Sequence, residues 1–335
     1  MIDVHTHVIP PVDYAVGADP RWPVVEVDHD GATVMVAGRP FRRVRRSAVD
    51  LDRRLAEVQA GRTVRAQVLS PMPELFSYWA PPAEAAEACR RVNDWIASAV
   101  ADHPGTFHGL GIVPLQDPEL AAAEVGRLAA SGLCGVEVGS NVEGRLLSDE
   151  RLEPFFDAAA EAGMGVFVHA FHPPQAAQLP RGPAGSAVTF PQEIAVGVGA
   201  LIAGGVLARL PRLRLAASHG GGGLVFTLGR MSHAWAHGPL GEALPEDPMA
   251  YARRIFYDTL LFGVDALRFL LQAVGERQVV VGSDYPFSSV EPGWPLQELA
   301  AELGPAAMEV IGEESPAAFL GLPVDPGGRA NPVAG

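Results

Sequence analysis

The chain has 335 residues, 48% apolar and 19% charged, so it can bury a large core and lacks the composition of a disordered chain. Its 25 basic residues face 39 acidic ones, and a formal net charge of −14 argues against a nucleic-acid partner. All 25 basic residues are arginine, and the absence of lysine excludes Schiff-base chemistry, lysine-linked pyridoxal phosphate and a carboxylated lysine bridging two metals.

In chain order, Ile2–His5 is a short β-type run that leads into His7. Residues 10–62 then break the pattern. Val24–Val27 and Ala32–Val36, with the turn signal Asp30-Gly31 between them, predict a small β-hairpin. The arginines behind it (Arg39, Arg42, Arg43, Arg45, Arg46, Arg53, Arg54, Arg62 and Arg65) read as a solvated helix and loop, from which one or two can face an anionic substrate. Seven further strand candidates follow: Val64–Ser70, His108–Val113, Gly135–Val138, Gly165–His169, Leu213–Ser218, Ile255–Asp258 and Val279–Ser283. Between them lie the helical patterns Ala83–Asp102, Pro118–Ala130, Glu150–Ala162, Gln192–Leu207, Leu224–Ala236 and Val264–Val274. Strands alternating with helices imply parallel pairing through right-handed crossovers, and eight repeats are the number that closes a cylinder. The expected fold is therefore an α/β (β/α)8 TIM-type barrel over residues 1–335, with the β-hairpin/helix insertion after the first strand. A doubly wound open sheet is the alternative. Residues 171–190, rich in Pro, Gly and Ala, predict a mobile loop, and residues 323–335 a frayed tail. Cys89 and Cys134 have no CxxC partner and read as buried thiols of a reducing cytosol. No targeting signal opens the chain and no apolar run reaches about 18 residues, so a cytoplasmic protein without a membrane partner is expected.

In such a barrel the working side chains sit at the C-terminal ends of strands. Polar residues interrupt the apolar runs at those ends: His5 and His7 on the first strand, His169 on the fifth, His219 after the sixth, Asp284 after the eighth. Residues two apart on a strand share a face, so His5 and His7 can aim at one point. Three imidazoles and a carboxylate suit one divalent metal, Zn2+ first, with Mn, Fe or Co also compatible. His219 precedes Gly220 to Gly223, four glycines that let the backbone approach a ligand and open the next helix. Its ordinary pKa near 6.5 matches a metal-bound water lowered to about 7. Proton transfer is the favoured role for His219, and a further imidazole ligand is the alternative. His29, His103, His108, His233 and His237 lack a strand-end setting and read as structural or surface residues, while the role of His172 stays open.

These pieces resemble the amidohydrolase-2 branch of the metal-dependent amidohydrolases. The shared segments are IDVHTHVIP, PFRRV, LFSYWA, LGIVPLQDPELA, GVFVHA, SHGGGG with FTLGR, and VGSDYPF. The resemblance runs from IDVHTH to the helix near FLGL. It implies that His5, His7, His169 and Asp284 bind one zinc and that His219 is the acid/base. It also implies that Arg42, after Phe41, holds a substrate carboxylate, and that Arg230 reaches the site of a neighbouring subunit, which requires a homodimer. The activity implied is non-oxidative decarboxylation of a small unsaturated or aromatic carboxylate. Phe287, with Tyr78 or Trp79, can cover a flat substrate, and core packing is the equal alternative for these aromatics. Two stretches depart from the family: Ala170-Phe171 replaces Pro-Trp after the fifth-strand histidine, and AGSAVTFP (184–191) replaces a tryptophan-bearing loop. Both lie where substrate would be enclosed. The alternatives are a metal-dependent hydrolase of a lactone, amide or enol-type bond, a hydratase of the same fold, and a non-catalytic metal-binding scaffold. No organic cofactor is expected, since no GxGxxG stands between a strand and a helix.

Overall fold

The computed structural model describes residues 1–61, 63–171, 185–287 and 294–323. Its strands, in chain order, are β1 (Ile2–Val8), β2 (Val24–Val27), β3 (Gly31–Val36), β4 (Arg39–Arg45), β5 (Ala66–Pro71), β6 (Phe107–Gly111), β7 (Gly135–Gly139), β8 (Asn141–Val142), β9 (Arg145–Leu146), β10 (Gly165–His169), β11 (Arg214–Ala217), β12 (Phe256–Asp258) and β13 (Val279–Val280). Eight of these form one parallel sheet in the order β1-β5-β6-β7-β10-β11-β12-β13. The two ends meet. Val4 N–H donates to the Val281 carbonyl (2.8 Å) and His7 N–H to the Tyr285 carbonyl (2.7 Å), so the sheet closes on itself. Each of the eight expected strands is present within a few residues, and the fold is the α/β barrel.

Two apolar layers hold the cylinder. Inside it, Ile2, Val4, Val68, Leu110, Phe167, Ala216 and Val280 are buried together, and Phe319 of the C-terminal helix Ser315–Leu320 packs on Phe167 and Phe256. The second layer lies between strands and helices, where Val136 and Val138 of β7 join Ile96, Val125 and Leu128 of the surrounding helices. No helix among the described residues is long and apolar enough to cross a membrane.

The insertion differs from expectation in one element. After β2 and β3 comes a third antiparallel strand, β4, where the sequence reading placed a helix and loop. Ala37 (φ 50°) and Gly38 (φ 69°) supply the two left-handed residues of a tight hairpin turn between β3 and β4. The arginines hid the alternation that follows: Phe41, Arg43 and Arg45 are exposed, while Arg42 is half-buried and Val44 buried. The helix expected next is Leu51–Ala60, begun by Asp50, whose carboxylate accepts Arg53 N–H (3.1 Å). Arg62, most of the expected loop (172–184) and the tail from residue 324 lie outside the described residues.

Candidate metal centre

β1 carries a local irregularity that aims its histidines. Ile2 and Val4 face the barrel interior, so strict alternation would turn His5 and His7 outward. The register with β5 shifts between Asp3 and Thr6, a bulge that re-aims the strand. The His5 ring accordingly lies 5.1 Å from interior Phe167. His169 ends β10, and Asp284 follows β13 on left-handed backbone (φ 59°), with its N–H bonded to the His5 carbonyl (2.8 Å).

The four side chains converge. His5 Nε2 is 3.2 Å from His7 Nε2 and 3.1 Å from His169 Nε2. Asp284 Oδ1 stands 3.2 Å from His7 Nε2 and 3.7 Å from His5 Nε2. All four donor atoms lie within 4.8 Å of one another. Nitrogens held at metal-bonding distance around a tetrahedral centre stand ~3.3 Å apart, so the spacing fits a single divalent cation. The outer ring nitrogens face acceptors that leave Nε2 free to ligate. His5 Nδ1–H donates to Asp258 Oδ2 (2.6 Å) and His169 Nδ1–H to the Ala170 carbonyl (2.9 Å).

Charge gathers at the same point. Burial opposes protonation of His5, but the hydrogen bond and charge of Asp258, with Asp284 and Glu137, hold its pKa up at about 9. Burial pushes His7 down and His169 well down. The Asp258 carboxyl, fully buried, is kept below its usual range by His5 and by backbone N–H donors. Those donors are His219 (3.0 Å), Gly220 (2.8 Å) and Leu260 (3.0 Å). Carboxylates thus draw positive charge to the centre from two sides, as a cation site requires.

His219 stands beside the four. Its backbone is left-handed (φ 53°), its ring centroid is 5.5 Å from that of His5 and 5.3 Å from that of His169, and Phe190 stacks on it at 5.9 Å. Burial, with the neighbouring His5, lowers its pKa to about 4, and its Nε2 has no hydrogen-bond partner among the described residues. Of the four glycines after it, Gly223 opens the helix Leu224–His237, as the sequence predicts. A Cβ on Gly222 (φ 58°) would lie 1.8 Å from the Pro191 carbonyl oxygen, so this glycine admits a neighbouring chain segment.

Above the cluster opens a cavity of about 940 Å3, lined by Arg42, Phe190, His219, Leu260, Asp284 and Phe287 among others. Phe287 stacks on His7 (5.2 Å, 24°), and the Arg42 guanidinium lies 5.0 Å above Phe287 and 3.6 Å from Glu74 Oε1. Arg230 is elsewhere. It projects from the helix Leu224–His237 as an exposed side chain with no ion pair among the described residues, and it is not part of this cavity lining. Tyr78 is packed between Phe76 and Phe171, and Trp79 against Trp22, so neither lines the cavity. His172 falls outside the described residues. Sequence reasoning passed over Asp258, Glu137 and Phe190. Asp258 carries the same mark as His169, a polar residue ending an apolar strand. Glu137 is fully buried on β7, 3.9 Å from His7 Nδ1.

The amidohydrolase family model matches residues 2–322. Among curated relatives, the 2-amino-3-carboxymuconate-6-semialdehyde decarboxylase of Dictyostelium discoideum is 34% identical, over 96% of this chain and 91% of its own length. Among solved structures, Metarhizium anisopliae IDCase superposes with a TM-score of 0.81 over 95% of this chain and 96% of its own, at 23% identity. The 5-carboxyvanillate decarboxylase of Novosphingobium aromaticivorans, complexed with manganese and 4-hydroxy-3-methoxy-5-nitrobenzoic acid, superposes with a TM-score of 0.66. It is 25% identical, over 82% of this chain and 78% of its own.

Proposed function

The chain belongs to the amidohydrolase family, and from that premise we propose that it is a metal-dependent carboxy-lyase. It removes CO2 without oxidation from a small, flat, unsaturated or aromatic carboxylate, with 2-amino-3-carboxymuconate-6-semialdehyde as the first candidate. The observation that carries the reading is one cavity lined by Asp284 of the four-donor cluster, by His219, whose Nε2 has no hydrogen-bond partner among the described residues, and by the Arg42 guanidinium above the Phe287 ring.

His5, His7, His169 and Asp284 hold the metal, with Zn2+ favoured by the three nitrogen donors and Mn2+ the rival suggested by the manganese-bearing relative. When bound, the cation supplies Lewis-acid polarisation of an oxygen and lowers the pKa of water. Arg42 anchors a substrate carboxylate, for which the planar fork of guanidinium is suited. Phe287, backed by His7, and Phe190, stacked on His219, offer apolar faces that favour a flat substrate. Decarboxylation breaks a C–C bond, leaves the electron pair on carbon and requires one proton there. His219, kept neutral by burial, takes a proton from water at Nε2 and passes it to that carbon.

A homodimer completes the site, with Arg230 of the partner subunit as the second carboxylate anchor. What supports this is the exposed face that bears Arg230, where Phe226 is 72% exposed and stacks on Phe269 at 4.4 Å. The free thiols Cys89 and Cys134 fit a reducing cytoplasm.

Assay of CO2 release over 2-amino-3-carboxymuconate semialdehyde and hydroxybenzoates, with the zinc- and manganese-loaded protein, tests the reading. Stoichiometric CO2 from one of these is expected. Turnover of lactones or amides to a new carboxylate, with no CO2 from any carboxylate offered, would establish the hydrolase instead.

A further inference from the structure

Arg54, on the helix Leu51–Ala60 of the insertion, is fully buried and forms no ion pair among the described residues. A buried guanidinium without a bonded carboxylate is costly to keep, so its contacts need a reason. Two of its three hydrogen bonds fall on the segment that carries His5 and His7, and its face lies over the residue that follows Asp284. Nη1 donates to the His7 carbonyl (2.6 Å), Nη2 to Thr6 Oγ1 (2.5 Å) and Nε to Gln67 Oε1 on β5 (2.9 Å). The same guanidinium lies 4.8 Å over the ring of Tyr285, the residue after Asp284. Tyr285 in turn gives its hydroxyl proton to Glu57, one helical turn beyond Arg54.

These contacts sit on the seam where the barrel closes. β13 is only two residues long. Past it, the seam depends on a few backbone bonds, Asp284 N–H to the His5 carbonyl and His7 N–H to the Tyr285 carbonyl among them. Sliding along that seam would move Asp284 relative to both histidines.

We infer that Arg54 is a positioning residue for the metal centre, clamping the His5-Thr6-His7 segment to the Asp284-Tyr285 segment so that their ligand atoms meet. It rests on the reading that these residues bind a metal, and it assigns the insertion a task beyond presenting Arg42. The guanidinium fork serves three acceptors in different directions, which an ammonium on a flexible stem cannot do.

The test compares wild type, Arg54→Lys, Arg54→Met and the milder Thr6→Val with Val58→Ala, a cavity control on the same helix. Metal affinity is measured by chelator competition, the Co2+ ligand-field spectrum reports ligand geometry, and apo-protein melting reports fold stability. Arg54→Lys and Arg54→Met should lose about 10- to 100-fold in metal affinity and change the Co2+ spectrum, and Thr6→Val should do so less. Val58→Ala should lower the melting temperature with affinity and spectrum unchanged. Folded Arg54 variants with wild-type affinity and spectrum would overturn the inference alone. If Val58→Ala weakens metal binding in proportion to lost stability, as the Arg54 variants do, or if no Arg54 variant folds, the role is structural and the inference is overturned. A wild-type protein that binds no metal would overturn the metal reading and this inference together.

Discussion

Burial lowers the His219 pKa to about 4, and the lack of a hydrogen-bond partner at its Nε2 among the described residues suits the proposed proton exchange. Replacement by Asn should cut turnover by ~10²- to 10⁴-fold while metal content, read by elemental analysis, stays at the wild-type level. Loss of metal in step with activity would make His219 a ligand instead. Single residues were legible in the sequence where a polar side chain ended an apolar run. His5, His7, His169 and Asp284 carried that mark, and the structure brings them within 4.8 Å. Asp258 carried it too and was passed over, because an aspartate after a strand is also an ordinary turn residue. Its role shows only when the hydrogen bond to His5 Nδ1 is seen. Glu137 reads as one polar residue in an apolar strand, and nothing local says that it faces His7.

At the scale of elements, the barrel strands were readable from their apolar runs, and the segment 39–45 was not. Its alternation is carried by arginines and one valine, so a hydrophobic pattern could not separate strand from helix. The consequence is functional, since a strand sets Arg42 over Phe287 at the cavity. Arg42→Ala should raise KM by ~10- to 100-fold, the worth of a charge-assisted hydrogen bond or two, with a smaller effect on kcat. An unchanged KM for the carboxylate would remove Arg42 from binding. The bulge in β1 was equally invisible, because register belongs to two strands and appears in neither alone.

At the scale of the molecule, closure of the cylinder packs a histidine into its base. His108 on β6 is 6% exposed, and burial with the nearby Arg65 lowers its pKa to about 4. An unfolded histidine takes up its proton near 6.5, so between the two values the unfolded chain binds more protons. The stabilisation is fully present above about 6.5 and is lost as pH falls toward 4, on the order of 2–3 kcal/mol. Denaturant unfolding at pH 7 and 4.5 should show His108→Leu losing less stability on acidification than wild type, and equal losses would refute the assignment. Assembly gives a second expectation: Arg230→Ala should abolish most turnover while sedimentation still shows a dimer, and full activity in that dimer would remove the shared site. The measurement that bears most directly on the whole reading is anomalous diffraction at the zinc and manganese edges from crystals of the metal-loaded protein. One peak per chain, within bonding distance of His5, His7, His169 and Asp284, is the expected result. Absence of a peak there, or a metal held elsewhere, would contradict it.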